Sequence, residues 1–230
     1  MPKRRGYRRR RPRRRRRKTK KLPIPNLSPG NMIGLAPRSY MKFRYKTEGT
    51  LSGGGASYDA HQFCANGLYD PDITGTGHQP PQFDRMITLY DKYRVYKIKA
   101  VATFVNASTT VPIDAAMYLS NESTTEFNPL LHDLTNSQYI SSRTLTVSKG
   151  ARDITTMTRT WDLSKFYGSK YWNEDQFTGS SSSNPGERCF LNIGCNSLNK
   201  VDAPDCDYSI NITFYTRLED VSFDEQVLED

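Results

Sequence analysis

The sequence predicts an all-β body, a sandwich of two packed four-stranded antiparallel sheets of the eight-stranded single jelly-roll kind, behind a long basic arm. Three observations predict it. The 230-residue chain carries 14 Tyr and 10 Phe, and Val, Ile and Thr dominate its apolar runs, a composition that favours strands over helices. Eight segments read as strands, with no strand–helix–strand alternation of the kind that builds a parallel sheet. Their connections are long and uneven, which suits a jelly roll better than a meander barrel with tight hairpins. An immunoglobulin sandwich is the alternative architecture, but its Cys…Trp…Cys spacing is missing.

Residues 1–37 form an arm and linker outside this body. Lys3, Arg4, Arg5, Arg8, Arg9, Arg10, Arg11, Arg13, Arg14, Arg15, Arg16, Arg17, Lys18, Lys20 and Lys21 make 15 of the first 21 residues basic, 11 of them Arg, with no acid among them. Like charges this dense repel into an extended chain, and Pro12 interrupts any helix. Leu22–Pro37 adds Pro23, Pro25, Pro29, Pro37, Gly30 and Gly34, which stiffen the chain and remove ladder donors. Fully extended, 37 residues span on the order of 120 Å.

The body, 38–220, begins with period-two alternation. Met41, Phe43 and Tyr45 alternate with Lys42, Arg44 and Lys46, giving a strand over 38–49 with one apolar and one basic face. Gly53–Gly55 is a turn, 57–66 a second strand, and Gly67–Gly77 a loop of turn formers. Gln82–Tyr93 is the predicted helix: Phe83, Met86, Ile87 and Tyr90 recur at spacings of three and four behind Pro80-Pro81. It runs into a strand over 94–106. Further strands are expected at 112–120, 143–148, 154–162, 188–197 and 207–219, with a loop over 165–184. Thr124–Ile140 is ambiguous between loop and helical turns, and 221–230 is an acidic tail.

The net charge of +9 conceals two opposite halves. Residues 1–47 hold 19 basic side chains, including Arg38, Lys42, Arg44 and Lys46, and no acid, leaving 14 basic and 24 acidic residues in 48–230. One end of the chain is thus built for a polyanion and the rest is not. Arg forks pair bidentately with phosphate oxygens, so the arm is expected to bind nucleic acid by charge without reading sequence. Tyr7 is placed to stack on a base. Phosphate pairing does not distinguish DNA from RNA. The same basic run suits host nuclear import receptors as partners. Arg38, Lys42, Arg44 and Lys46 are expected to line the surface where the arm leaves the body, the alternative being an ordinary solvated strand face.

No catalytic site is expected: there is no nucleophile elbow, no HExxH and no P-loop Lys after Gly53–Gly55. The expectation is a non-enzyme without cofactor or metal. Cys64, Cys189, Cys195 and Cys206 fit no zinc spacing and are expected as buried free thiols. Asp70 and Asp72 sit in a turn where Asp is common for backbone reasons, with a Ca²⁺ between subunits as the alternative use. Trp161 and Trp172 are expected as core or interface anchors. The start lacks the apolar core of a secretory signal and no stretch approaches the ~20 apolar residues of a membrane span, so a reducing compartment and no membrane insertion are expected.

Several segments carry a resemblance to a known family. They are the Arg-rich start with Tyr7, the passage NGLYDPDITGTGHQPPQFDRMITLYDKYRVYKIKAVATFVN (66–106), SKFYGSK (164–170), SSNPGERCFLNIG (182–194) and INITFYTRLED (210–220). In this order they resemble the capsid proteins of circular, Rep-encoding single-stranded DNA viruses, the circovirus-like group. The helix around LYDKYRV followed by a strand is the most specific part. The resemblance implies a single jelly roll, a T=1 icosahedral homo-oligomer of sixty copies, single-stranded DNA as cargo, and location in the virion and, during assembly, the host nucleus. It leaves the cell-surface receptor open. Sixty such arms would carry about 900 charges, balancing on the order of 900 phosphates. The competing reading is a non-capsid, chromatin-associated nucleic-acid-binding protein.

Overall fold

The computed structural model describes residues 36–75, 77–121, 123, 139–147 and 153–222. Eight strands lie in order along the chain: β1 (Arg38–Leu51), β2 (Tyr58–Cys64), β3 (Tyr90–Asn106), β4 (Ile113–Ser120), β5 (Ile140–Leu145), β6 (Ile154–Asp162), β7 (Phe190–Ser197) and β8 (Cys206–Val221). They form two sheets, ordered β1-β8-β3-β6 and β2-β7-β4-β5, and every pairing is antiparallel. This interleaving, in which the last strand sits between the first and third and the seventh between the second and fourth, is the double Greek key of a jelly roll. The expected fold class is therefore the observed one.

Alternation in the sequence selects the faces. In β8, Tyr208, Ile210, Ile212, Phe214, Thr216 and Leu218 are buried, while the residues between them turn outward. Phe43 and Tyr45 of β1, Ile98, Ala100, Ala102 and Phe104 of β3, and Met157 and Trp161 of β6 join them on the inner face. The opposing sheet contributes Phe63, Ile113, Ala115, Met117, Leu145, Leu191, Ile193 and Cys195 to the same core. Each fully buried Leu, Ile or Phe contributes about 1.5–3 kcal/mol of transfer free energy.

Three elements differ from expectation. The helix predicted over 82–93 is confined to α1 (Phe83–Ile87), and Tyr90–Tyr93 already belong to β3. Tyr90 faces Val221 and Tyr93 faces Leu218 in the ladder with β8, so long-range pairing overrides a helical period too short to stand alone. Phe83 and Ile87 still pack inward, with the Phe83 ring edge-on to Phe43 at 5.8 Å and to Tyr93 at 5.3 Å. At the start of the expected loop 165–184, α2 (Leu163–Tyr167) forms instead. The Asp162 carboxylate caps it by accepting from the Ser164 and Lys165 amides, and Gly168 at φ 78° ends it. β5 runs from Ile140 to Leu145 rather than over 143–148, because its ladder with β4 pairs Tyr118 with Ile140 and Ile113 with Leu145.

Trp161 is 3% exposed and donates Nε1–H to the Tyr139 carbonyl at 2.9 Å. All four cysteines are buried free thiols, as expected. Among the described residues no helix is long and apolar enough to cross a membrane. The basic stretch Lys3–Lys21, most of the ambiguous segment 124–140 and the acidic end 223–230 lie outside the described residues.

Candidate nucleic-acid interface

The strand that follows the arm displays its cations on one side. Arg38, Lys42, Arg44 and Lys46 are all exposed, between inward-facing Met41, Phe43 and Tyr45. Strict alternation makes this unavoidable once Phe43 and Tyr45 enter the core. All four expected site residues of the body thus share the outer face of the β1-β8-β3-β6 sheet.

Register then adds cations that strand-by-strand reading did not connect. Tyr215 of β8 is the ladder partner of both Lys42 and Lys97, and Thr213 is the partner of both Arg44 and Lys99. Lys42 and Lys97 therefore flank Tyr215, and their ammonium groups lie 5.2 and 4.4 Å from its ring centroid. Among the described residues, none of Lys42, Arg44, Lys46, Lys97 and Lys99 has a carboxylate within ion-pair distance. Cations left unpaired in this way face solvent with their charge available.

A β-bulge shapes one end of the face. The β3–β8 register shifts between Val95 and Lys97, so Tyr96 is the extra residue and emerges beside Lys97 on the same side, as bulges commonly re-aim a side chain. The Tyr96 ring lies 6.0 Å from Tyr40, 6.1 Å from Trp172 and 6.4 Å from Tyr215. Burial, then the nearby Tyr40 and Tyr215, push the Tyr96 hydroxyl above the usual phenol range, so it stays neutral beside the lysines.

Trp172 is 36% exposed rather than a core anchor. The Arg217 guanidinium sits 4.5 Å above its ring while donating to Glu219 Oε1 at 2.6 and 2.7 Å. Beneath it, Arg94 is 3% exposed. It donates to Glu219 Oε1 at 3.4 Å, to the Glu174 carbonyl at 3.1 Å and to the Tyr171 carbonyl. One carboxylate is thus shared by two arginines, leaving the trio with one net positive charge, and the buried Arg94 guanidinium is further satisfied by peptide oxygens. The segment bearing Trp172 is held to the sheet by these bonds.

Asp72 is engaged within its own turn. Asp72 Oδ1 accepts from the Thr74 amide and hydroxyl at 3.1 and 2.8 Å and lies 3.0 Å from His61 Nε2, the ordinary work of an Asp in a turn. Among the described residues no three His, Cys, Asp or Glu side chains are grouped to hold a metal. Lys97, Lys99, Tyr96 and Arg217 escaped the sequence reading as site residues. The alternation in Tyr96–Lys99 showed two outward lysines, but nothing in it placed them beside β1.

The chain is thus an all-β protein with a jelly-roll strand order and one basic, aromatic outer face. Comparisons with protein-family models and with curated proteins returned no match. Among solved structures it is similar to Desmodium yellow mottle tymovirus, at 10% identity and TM-score 0.40, covering 87% of this chain and 99% of that one. Mud crab tombus-like virus aligns at 11% identity and TM-score 0.43, covering 90% and 93%. The decameric BFDV capsid protein aligns at 8% identity and TM-score 0.41, covering 79% and 99%.

Proposed function

We propose that this chain is a viral capsid protein that assembles into a small icosahedral shell and packages single-stranded DNA. The observation that carries the reading is continuity of charge along the sequence. An arm with 15 cations in 21 residues leads into a jelly roll through β1, whose exposed side is itself basic. An inward-facing arm would neutralise phosphates by counterion release, and the β1 cations would extend that neutral layer to the wall. The remaining acidic residues suit surfaces turned away from the cargo. The resemblance of 66–106, 164–170, 182–194 and 210–220 to circovirus-like capsids supports sixty copies in a T=1 arrangement, DNA as the cargo, and assembly in the host nucleus after import through the arm.

Electron microscopy of the purified full-length protein, with absorbance at 260 and 280 nm and a nuclease-treated control, tests this. Uniform spheres holding nuclease-protected nucleic acid are the expected result. Monodisperse monomers or dimers at every salt and pH would overturn it in favour of a non-capsid nucleic-acid-binding protein.

A further inference from the structure

Charge alone does not account for the aromatic residues on the basic face. Tyr40 is 64% exposed and Trp172 36%, whereas Tyr45, Phe63, Phe83, Tyr93, Phe104, Tyr171, Phe177 and Phe214 are fully buried. Tyr69, in the loop after β2, is 41% exposed as well, but Tyr40 and Trp172 form a pair on this face. Tyr96 bridges it, within 6.0 Å of Tyr40 and 6.1 Å of Trp172, so the three rings form one row across β1, β3 and the segment after α2. The Lys97 ammonium lies 6.0 Å from the Tyr96 ring of that row, and Lys42 and Lys97 flank Tyr215 beside it. Lys97 and Lys99 are one strand repeat apart, about 6.6 Å, a stride comparable to that between neighbouring phosphates of an extended nucleic-acid strand.

We propose that Tyr40, Tyr96 and Trp172 stack on unpaired bases while Lys42, Lys97 and Lys99 hold the phosphates of the same strand. The outer face of the β1-β8-β3-β6 sheet is then a second, folded binding site for single-stranded nucleic acid, distinct from the arm. This second site rests on the proposed packaging role and defines what the body itself recognises. A duplex keeps its base faces inside the stack, where a flat sheet cannot reach them, whereas a single strand offers them freely. Electrostatic complementarity selects a polyanion, and the aromatic row selects one with exposed π-faces.

Trp172 reports directly on this contact, because the other of the two tryptophans, Trp161, is buried. The full-length chain is titrated with end-labelled oligothymidylate at ~50 mM salt, following label anisotropy and tryptophan emission together. Emission is expected to be quenched at the same midpoint as the anisotropy rise, and Trp172→Phe is expected to abolish the quench. Tyr40→Ala with Tyr96→Ala is expected to weaken the quenched mode about tenfold. Saturated anisotropy with unchanged emission would overturn the platform while leaving the arm's role intact. No anisotropy change would overturn the packaging reading itself. Equal quenching by a duplex or by heparin would make the face a general polyanion contact and overturn its preference for single strands.

Discussion

On the outer face of the β1-β8-β3-β6 sheet, every second residue from Arg38 to Lys46 is exposed, and all but Tyr40 carry positive charge. On the outer face of the β2-β7-β4-β5 sheet, Ala116, Tyr118 and Ile140 make a separate buried apolar cluster with Tyr58 and Ala60 packed against it. Beside them Gln62 Nε2 donates to Asn192 Oδ1 at 2.6 Å, and Asn192 Nδ2 donates to Ser120 Oγ at 2.9 Å. Every residue of β7 is buried. Both sheets bury their inner faces in one core, so folding alone does not require their outer faces to differ. The second outer face is finished with apolar contacts and paired amides. The first keeps Lys42, Arg44, Lys46, Lys97 and Lys99 without a carboxylate at ion-pair distance among the described residues, which is the feature the proposed nucleic-acid contact would use.

The sharpest way to break this contrast is to reverse the charge. Lys42→Glu, Arg44→Glu, Lys97→Glu and Lys99→Glu together are expected to lower affinity for single-stranded nucleic acid by about 10²–10³ at ~50 mM salt. Unfolding free energy should stay within about 1 kcal/mol. Filter binding and urea denaturation read the two effects separately, and unchanged affinity would show the face to be an ordinary solvated surface.

The mirror experiment is Ala116→Asp. Burying a carboxylate in the apolar cluster is expected to cost upwards of ~2 kcal/mol while leaving affinity as it was. Lost binding at full stability would invert the assignment of the faces.

High pH probes the core that both faces cover. Burial pushes the Cys64 thiol up to about 12 and the Tyr208 hydroxyl to about 12, from ordinary values of 9.0 and 10.0. The unfolded chain therefore releases these protons first. Their contribution is intact below pH 9 and lost as pH rises towards 12, with a slope of about 1.4 kcal/mol per pH unit per group. Cys64→Ala should remove one such group's share of the slope in denaturant melts across that window.

The smallest expected effect is that of Lys42→Ala. It should reduce the slope of log affinity against log salt by about 0.7 and shift stability by less than ~0.5 kcal/mol. A full-size slope would mean that Lys42 touches no phosphate.

Much of the basic face was legible in the sequence. Alternation in 38–46 and 207–219 fixed which residues of β1 and β8 point outward, because a period of two leaves no other assignment once the aromatics are inside. The lysines of β3 were legible individually but not as neighbours of Lys42, since more than fifty residues separate them and β8 lies between. The bulge at Tyr96 was not legible at all, because an inserted residue shifts the period without leaving a mark of its own. The overlong helix arose from Tyr90, whose spacing from Phe83, Met86 and Ile87 fits a helix although its backbone pairs with Val221. α2 had a signal that could have found it, an Asp before and a Gly after a five-residue run. The arm-bearing segment lies outside the described residues, so its part in the site stands on composition.

β1 and β3 share no ladder; each is hydrogen-bonded to β8, between them. On the ribosome this sets a schedule. Some 155 residues separate the end of β1 from the start of β8, which at ~5–20 residues per second is roughly eight to thirty seconds of translation. For a period of about that length the cationic strand is out of the tunnel without its pairing partner. The sheet is sealed by the last of its strands to be made. A premature stop before residue 206 leaves two hydrophobic edges that seek other chains, rather than a smaller version of the same protein.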